Sequence, residues 1–125
     1  MTEKTSEKIV QFNSRTPNPH FEDVFDISPT ELAENLKTVK LVDVRQPEEY
    51  VGELGHIPGA ELVVLNTIPT ELANLPKDQT VVFICKAGGR SAQAAAFAKQ
   101  NGWTHVYNLQ GGMMLWNNLQ LPTER

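Results

Sequence analysis

Thr80-Val81-Val82-Phe83-Ile84-Cys85-Lys86-Ala87-Gly88-Gly89-Arg90-Ser91 decides how this chain is read. Thr80 to Ile84 is nearly all apolar and β-branched, the composition of a central strand buried on both faces. The strand ends in the single cysteine of the chain. Lys86, two glycines and Arg90 follow. From Ser91 to Asn101 an alanine-rich run reads as a helix, with Gly102 just past its end. This order places a thiol at the end of a strand, facing a helix N-terminus and flanked by two cations.

Working outward, strand and helix signals alternate. Val24 to Ile27 is a first strand. Ser28-Pro29-Thr30-Glu31 starts a helix, with Ser as N-cap, Pro at N1 and Glu at N3 as a capping box. Lys40 to Arg45 is the second strand, and Pro47-Glu48-Glu49-Tyr50 opens the next helix with acids in its first turn. Gly52 to Gly59 is a loop, Ala60 to Leu65 a third strand, and Pro69 to Asn74 a short helix. Thr80 to Ile84 is the fourth strand and His105 to Leu109 the fifth. Gly111-Gly112 leads into a last helix from Met113 to Leu119. The expected fold is α/β: a central five-stranded, mostly parallel sheet with helices on both faces. Ligands of such sheets bind beyond the carboxyl ends of the strands. Cys85 ends the fourth strand, and Asp43 and Arg45 end the second, so the two polar sites are expected on one rim. Residues 1–20 read as a partly ordered extension broken by Pro17, Asn18 and Pro19, and residues 21–125 as a single domain.

Composition narrows the function classes. The net charge is −4 and lysines and arginines do not cluster, which argues against a nucleic-acid surface and an anionic membrane anchor. No apolar stretch approaches the ~20 residues that span a bilayer. Met1 to Arg15 is polar, without the apolar centre of a secretory signal. One cysteine allows no internal disulfide, and with three scattered histidines it gives no metal-ligand spacing. The expectation is a cytoplasmic protein that needs no cofactor, with nothing requiring more than a monomer.

The loop after Cys85 has the chemistry of an anion cradle. Gly88 and Gly89 tolerate unusual backbone angles and close approach. The amides of Lys86, Ala87, Gly88, Gly89, Arg90 and Ser91 are candidate donors of an inward-pointing nest. Lys86 adds a mobile charge at the mouth and Arg90 a fixed one. These terms lower a thiol pKa from ~8.5, and burial opposes them. Dipole and cations win if the sulfur faces the loop; desolvation wins if it faces the core. The bland alternative is a small core hydrophobe, the common fate of a free cysteine.

The run Cys85-Lys86-Ala87-Gly88-Gly89-Arg90-Ser91 resembles the active-site loop of rhodanese-like sulfurtransferases. Three further blocks resemble that family in order: Leu41-Val42-Asp43-Val44-Arg45-Gln46-Pro47-Glu48-Glu49-Tyr50, Gly55-His56-Ile57-Pro58-Gly59-Ala60, and Leu109-Gln110-Gly111-Gly112-Met113-Met114-Leu115-Trp116. Together they cover residues 24–119. The resemblance implies that Cys85 takes a sulfane sulfur from a small anionic donor such as thiosulfate, leaving a persulfide, and passes it to cyanide or a thiol. It implies loop amides around the persulfide anion and Lys86 beside the donor. Arg90 is expected to pair with a carboxylate, with Asp43 as the candidate, and Asp43 and Arg45 are expected to support the site. Cysteine phosphatases place five residues between Cys and Arg to wrap a phosphate. Here four separate Cys85 from Arg90, a cradle suited to one sulfur atom. The alternative reading is a sulfur carrier or regulatory module loaded by a partner protein, its small size leaving no second domain to enclose a substrate.

Other residues have plainer readings. Arg45 is expected in ion pairs at the surface or rim. His56 is expected as a hydrogen bonder in a turn, and Met114 and Trp116 as core. Met113 follows the Gly-Gly turn and is expected near the rim. Glu48, Glu49 and Glu53 are expected on a solvated face.

Overall fold

The computed structural model describes residues 9–125. Its strands are β1 (Thr16–Pro17), β2 (Phe25–Ile27), β3 (Lys40–Asp43), β4 (Glu61–Leu62), β5 (Val81–Ile84) and β6 (Val106–Leu109). They form one sheet in the order β1-β2-β6-β5-β3-β4. The pairing is parallel except between β1 and β2, which run antiparallel. The helices are α1 (Pro29–Ala33), α2 (Pro47–Tyr50), α3 (Ile68–Glu71), α4 (Gly89–Gln100) and α5 (Gly112–Asn118). Among the described residues no helix is long and apolar enough to cross a membrane.

Period-two alternation along β5 divides its side chains between two cores. Val81, Phe83 and Cys85 face a cluster with Val42, Val44, Ile68, Leu72 and the α4 alanines. Val82 and Ile84 face the opposite cluster, with Phe12, Leu32, Met113 and Trp116. All four β5 residues are fully buried, which is why a strand without polar alternation belongs in the centre of a two-sided sheet. Ala94, Ala95 and Ala98 let α4 lie close over the sheet.

The mostly parallel α/β architecture is the expected one, with a sixth strand added by the chain before Phe21. That segment is packed more tightly than its prolines suggest. Phe12 is fully buried and meets Tyr107 edge-on. Val10 exchanges hydrogen bonds with the Thr80 hydroxyl through its N–H and its C=O. Pro17 lies inside β1, on a sheet edge where a missing N–H is tolerated. The Ser28 hydroxyl caps α1 as expected, accepting from the Glu31 amide. Glu31, however, turns away from the capping box and accepts the amides of Asn13 and Ser14, both at 2.8 Å. Ser28 N–H goes instead to the Ser14 hydroxyl. The helix cap thereby becomes the anchor of the N-terminal segment.

Two elements are shorter than the sequence suggests. The third expected strand is regular only at Glu61–Leu62, although Val63 and Leu65 still donate to Asp43 and Val44 carbonyls. The helix expected over 69–74 is one α-turn followed by a 3-10 turn at Leu72–Asn74. Helix α4 starts two residues earlier than expected, because Gly88, at φ +111°, takes the left-handed cap position. Gly102, at φ +100°, ends it as expected.

Candidate functional site

Parallel pairing of β3 with β5 sets Asp43 opposite Ile84, so Asp43, Arg45 and Cys85 share the carboxyl rim. Cys85 is 0 % exposed. Its side chain points to the α4 side of the sheet, and Sγ accepts from the Gly88 amide and from the Ser91 hydroxyl, each at 3.1 Å. Of the loop amides considered as donors, that of Gly88 reaches the sulfur. Ser91 does so through its side chain, from the first turn of α4. Lys86, Ala87 and Gly89 are exposed.

The start of α5 holds the loop from behind. Met113 N–H donates to Cys85 O at 2.8 Å and Met114 N–H to Lys86 O at 3.0 Å. These bonds require very close approach of Gly112. A Cβ there, at φ +57°, would stand 2.5 Å from both carbonyl oxygens. The second glycine of the Gly-Gly pair is thus a packing requirement for the cysteine loop as well as a turn residue. Met113 reaches the rim through its backbone, and its side chain is buried in the core.

One of the two arginines of the site meets a carboxylate other than the expected one, and the other makes its rim ion pair in the interior. Arg90 pairs with Glu49, not with Asp43: its two terminal nitrogens meet the two carboxylate oxygens at 2.8 and 3.0 Å. This fork holds the Glu49 carboxyl down at about 2 against partial burial, and it raises Arg90 above its ordinary value. Glu49 also accepts the Gln46 amide, closing the α2 cap. It therefore leaves the solvated face assigned to it and clamps α2 to the start of α4. Arg45 is not a surface group. It is 1 % exposed and paired with the fully buried Asp43 through Nε and Nη2, at 2.8 to 3.2 Å. It also donates to Gly55 O at 2.7 Å, tying the end of β3 to the next loop. Asp43 and Arg45 thus support the rim from below, while Arg90 and Glu49 bridge it.

Behind Ser91 runs a polar chain that the sequence did not flag. Ser91 Oγ contacts Asn108 Oδ1, Asn108 Nδ2 donates to Asp26 Oδ1 at 2.9 Å, and Asn18 Nδ2 donates to the same oxygen at 2.9 Å. The available signal was an Asn inside Val106-Tyr107-Asn108-Leu109, where an apolar residue belongs. Lone buried polar groups are costly unless paired, so such a residue points to partners.

Cavities flank the loop. One of about 190 Å³ is walled by Lys86, Arg45, Glu48, Glu49 and Glu53. Another, of about 370 Å³, separates Ala87–Gly89 from the 18–21 turn, with Asp26 and Asn108 at its base. A third, of about 380 Å³, is apolar apart from Arg90, Gln46, Asn66 and Gln93. His56 behaves as a turn residue: Nδ1–H donates to Tyr50 O at 2.8 Å, and the ring stacks on Tyr50 at 3.7 Å. Trp116 is core, but Met114 is 49 % exposed. Among the described residues no three His, Cys, Asp or Glu side chains are grouped to hold a metal ion.

Comparison with known proteins gives the chain its relatives. The chain is 38 % identical over 102 residues to a sulfurtransferase of Allochromatium vinosum, covering 79 % of this chain and 94 % of that protein. It is 33 % identical over 99 residues to the thiosulfate sulfurtransferase GlpE of Pseudomonas paraeruginosa, covering 78 % and 88 %. A rhodanese-related protein from Thermoplasma volcanium superposes with a TM-score of 0.74 at 28 % identity, over 79 % of this chain and 96 % of its own. The family model for the rhodanese-like domain matches residues 28–119, spanning the rim, the cysteine loop and the Gly-Gly turn, and the chain belongs to that family.

Proposed function

We propose that the protein transfers a sulfane sulfur through a persulfide on Cys85. The observation that carries this reading is a fully buried sulfur in a glycine-built loop, with the Gly88 amide and the Ser91 hydroxyl aimed at it. In the first half-reaction the Cys85 sulfur attacks the outer sulfur of an anionic donor such as thiosulfate. The donor S–S bond breaks, sulfite leaves with the bonding pair, and Cys85 carries the persulfide. In the second, cyanide or a thiolate attacks the outer sulfur, and the electron pair returns to Sγ. Preformed donors stabilise the negative charge that develops on sulfur without reorganising. Once Cys85 is a thiolate, such exchange needs no metal or general base.

Charge pairing leaves Lys86 the role of meeting the donor. Arg90 is neutralised by Glu49 and Arg45 by Asp43, and Lys86 has no carboxylate within salt-bridge distance among the described residues. Thiosulfate exposure should add the mass of one sulfur to the protein, and Cys85→Ser should remove both the adduct and thiocyanate formation. A variant without Cys85 that still forms thiocyanate at the wild-type rate would sink the proposal. A reduced thiol of this kind suits the cytoplasm.

A second reading is favoured by the cavity at Lys86. Glu48 and Glu53 share its wall and repel a small dianion, while they complement a basic protein surface. In this reading a protein donor or acceptor loads or unloads Cys85. A persulfidated protein donor that loads Cys85 much faster than thiosulfate does would select it.

A further inference from the structure

Ser91 has one hydroxyl hydrogen and two acceptors in front of it. Oγ is 3.1 Å from Cys85 Sγ and in hydrogen-bond contact with Asn108 Oδ1. A hydroxyl donates only one hydrogen. The Asn108 amide cannot turn over to relieve the competition. Its Nδ2 donates to Asp26 Oδ1 at 2.9 Å and to Gly88 O at 3.2 Å, and neither of those oxygens has a hydrogen to offer in return. Asp26 is itself held by Asn18 at 2.9 Å. Ser91 is 0 % exposed and Asn108 1 %.

We propose that Asn108, locked by Asp26, is a positioning residue that sets the direction of the Ser91 hydroxyl and so controls the ionisation of Cys85. With a neutral thiol, Sγ–H donates to Ser91 Oγ and Ser91 O–H donates to Asn108 Oδ1. When the thiol proton leaves to solvent, the Ser91 hydrogen swings from Asn108 to Sγ and joins the Gly88 amide there. Each ionisation therefore breaks the Ser91–Asn108 bond. Ser91 supports the sulfur anion, and Asn108 opposes it by competing for the same hydrogen. The charged groups on the elements around the sulfur are Lys86, Arg90 with its Glu49, and Asp43 with its Arg45. β6 and α5 bring none, and β2 brings Asp26, hydrogen-bonded to Asn108. Replacing Asn108 alters none of these charges.

The inference concerns the sulfur of the proposed transfer reaction, and its test needs no sulfur donor. The readout is the pH midpoint of ultraviolet thiolate absorption in the intact protein, with Cys85→Ser as the blank. Asn108→Leu should lower the midpoint by roughly half a unit to one unit, the scale of one competing hydrogen bond. Ser91→Ala should raise it. In the Ser91→Ala background, Asn108→Leu should no longer move it. Asn108→Ala should move it in the same direction as Asn108→Leu, and this variant serves if Asn108→Leu does not fold. An unmoved midpoint in the folded single variants overturns the proposal, as does a shift that persists undiminished without the Ser91 hydroxyl. A protein with the expected shifts but no sulfur transfer would overturn the transfer reading alone.

Discussion

Two arginine–carboxylate forks stand a few residues apart on the same rim and do different work. Asp43–Arg45 is sealed, at 0 and 1 % side-chain exposure, and joins residues two apart in the chain. Glu49–Arg90 lies at the mouth, at 27 and 37 %, and joins residues 41 apart. A buried pair must recover its desolvation cost from geometry, so its members depend on each other completely. A pair in contact with water gains little stability, and its value is in where it holds things. Here it fixes α2 against the first turn of α4, the turn that also carries Ser91.

The contrast breaks first at the sealed pair. Asp43→Ala should destabilise the domain by about 3–5 kcal/mol in urea unfolding, since it strands the Arg45 charge in the interior. A change below about 1 kcal/mol would mean that Arg45 finds another route to solvent. Next comes the glycine packed behind the cysteine loop. Gly112→Ala should cost roughly 1–3 kcal/mol through its positive φ and crowding of the Cys85 and Lys86 carbonyls, and should depress sulfur loading of Cys85 more than stability. The smallest change in stability is expected at the mouth. Glu49→Gln should cost at most about 1 kcal/mol near neutral pH, with a larger relative loss in sulfur-transfer rate as Arg90 and the α4 start loosen.

The same mouth pair predicts a pH window. The Glu49 carboxyl is depressed from 4.5 to about 2 by Arg90. A depressed folded-state value adds stability above the unfolded value and loses it as the folded carboxyl protonates. The difference between wild type and Glu49→Gln should therefore be full above pH 4.5, shrink below it, and vanish only below pH 2. A difference that stays constant down to pH 2 would show that the fork contributes no electrostatic stability.

Much of this was legible locally. Thr80 to Ile84 suits a central strand, and a glycine pair before an alanine run suits a helix start, so the place of Cys85 on the rim followed from its neighbours. The partner of Arg90 was not legible in this way. Glu49 and Asp43 are both acids near the end of β3, and choosing between them requires knowing that Asp43 is already closed on Arg45. Glu31 shows the same difficulty. Its spacing from Ser28 spells a capping box, and the carboxylate instead binds two amides of a segment that the prolines made look loose.

The sequence by itself determined the alternation of strands and helices, the thiol at a carboxyl rim, and the glycine loop around it. Those features rest on periodicity, turn chemistry and helix capping, which act over a few residues. Tertiary structure alone decided which carboxylate each arginine meets, that Gly112 must lie against the Cys85 carbonyl, and that Asp26, Asn108 and Ser91 line up behind the sulfur. The physical reason is that a hydrogen bond or ion pair is selected by distance and desolvation after packing. Residues 17, 41 and 82 positions apart become neighbours only when the sheet has formed.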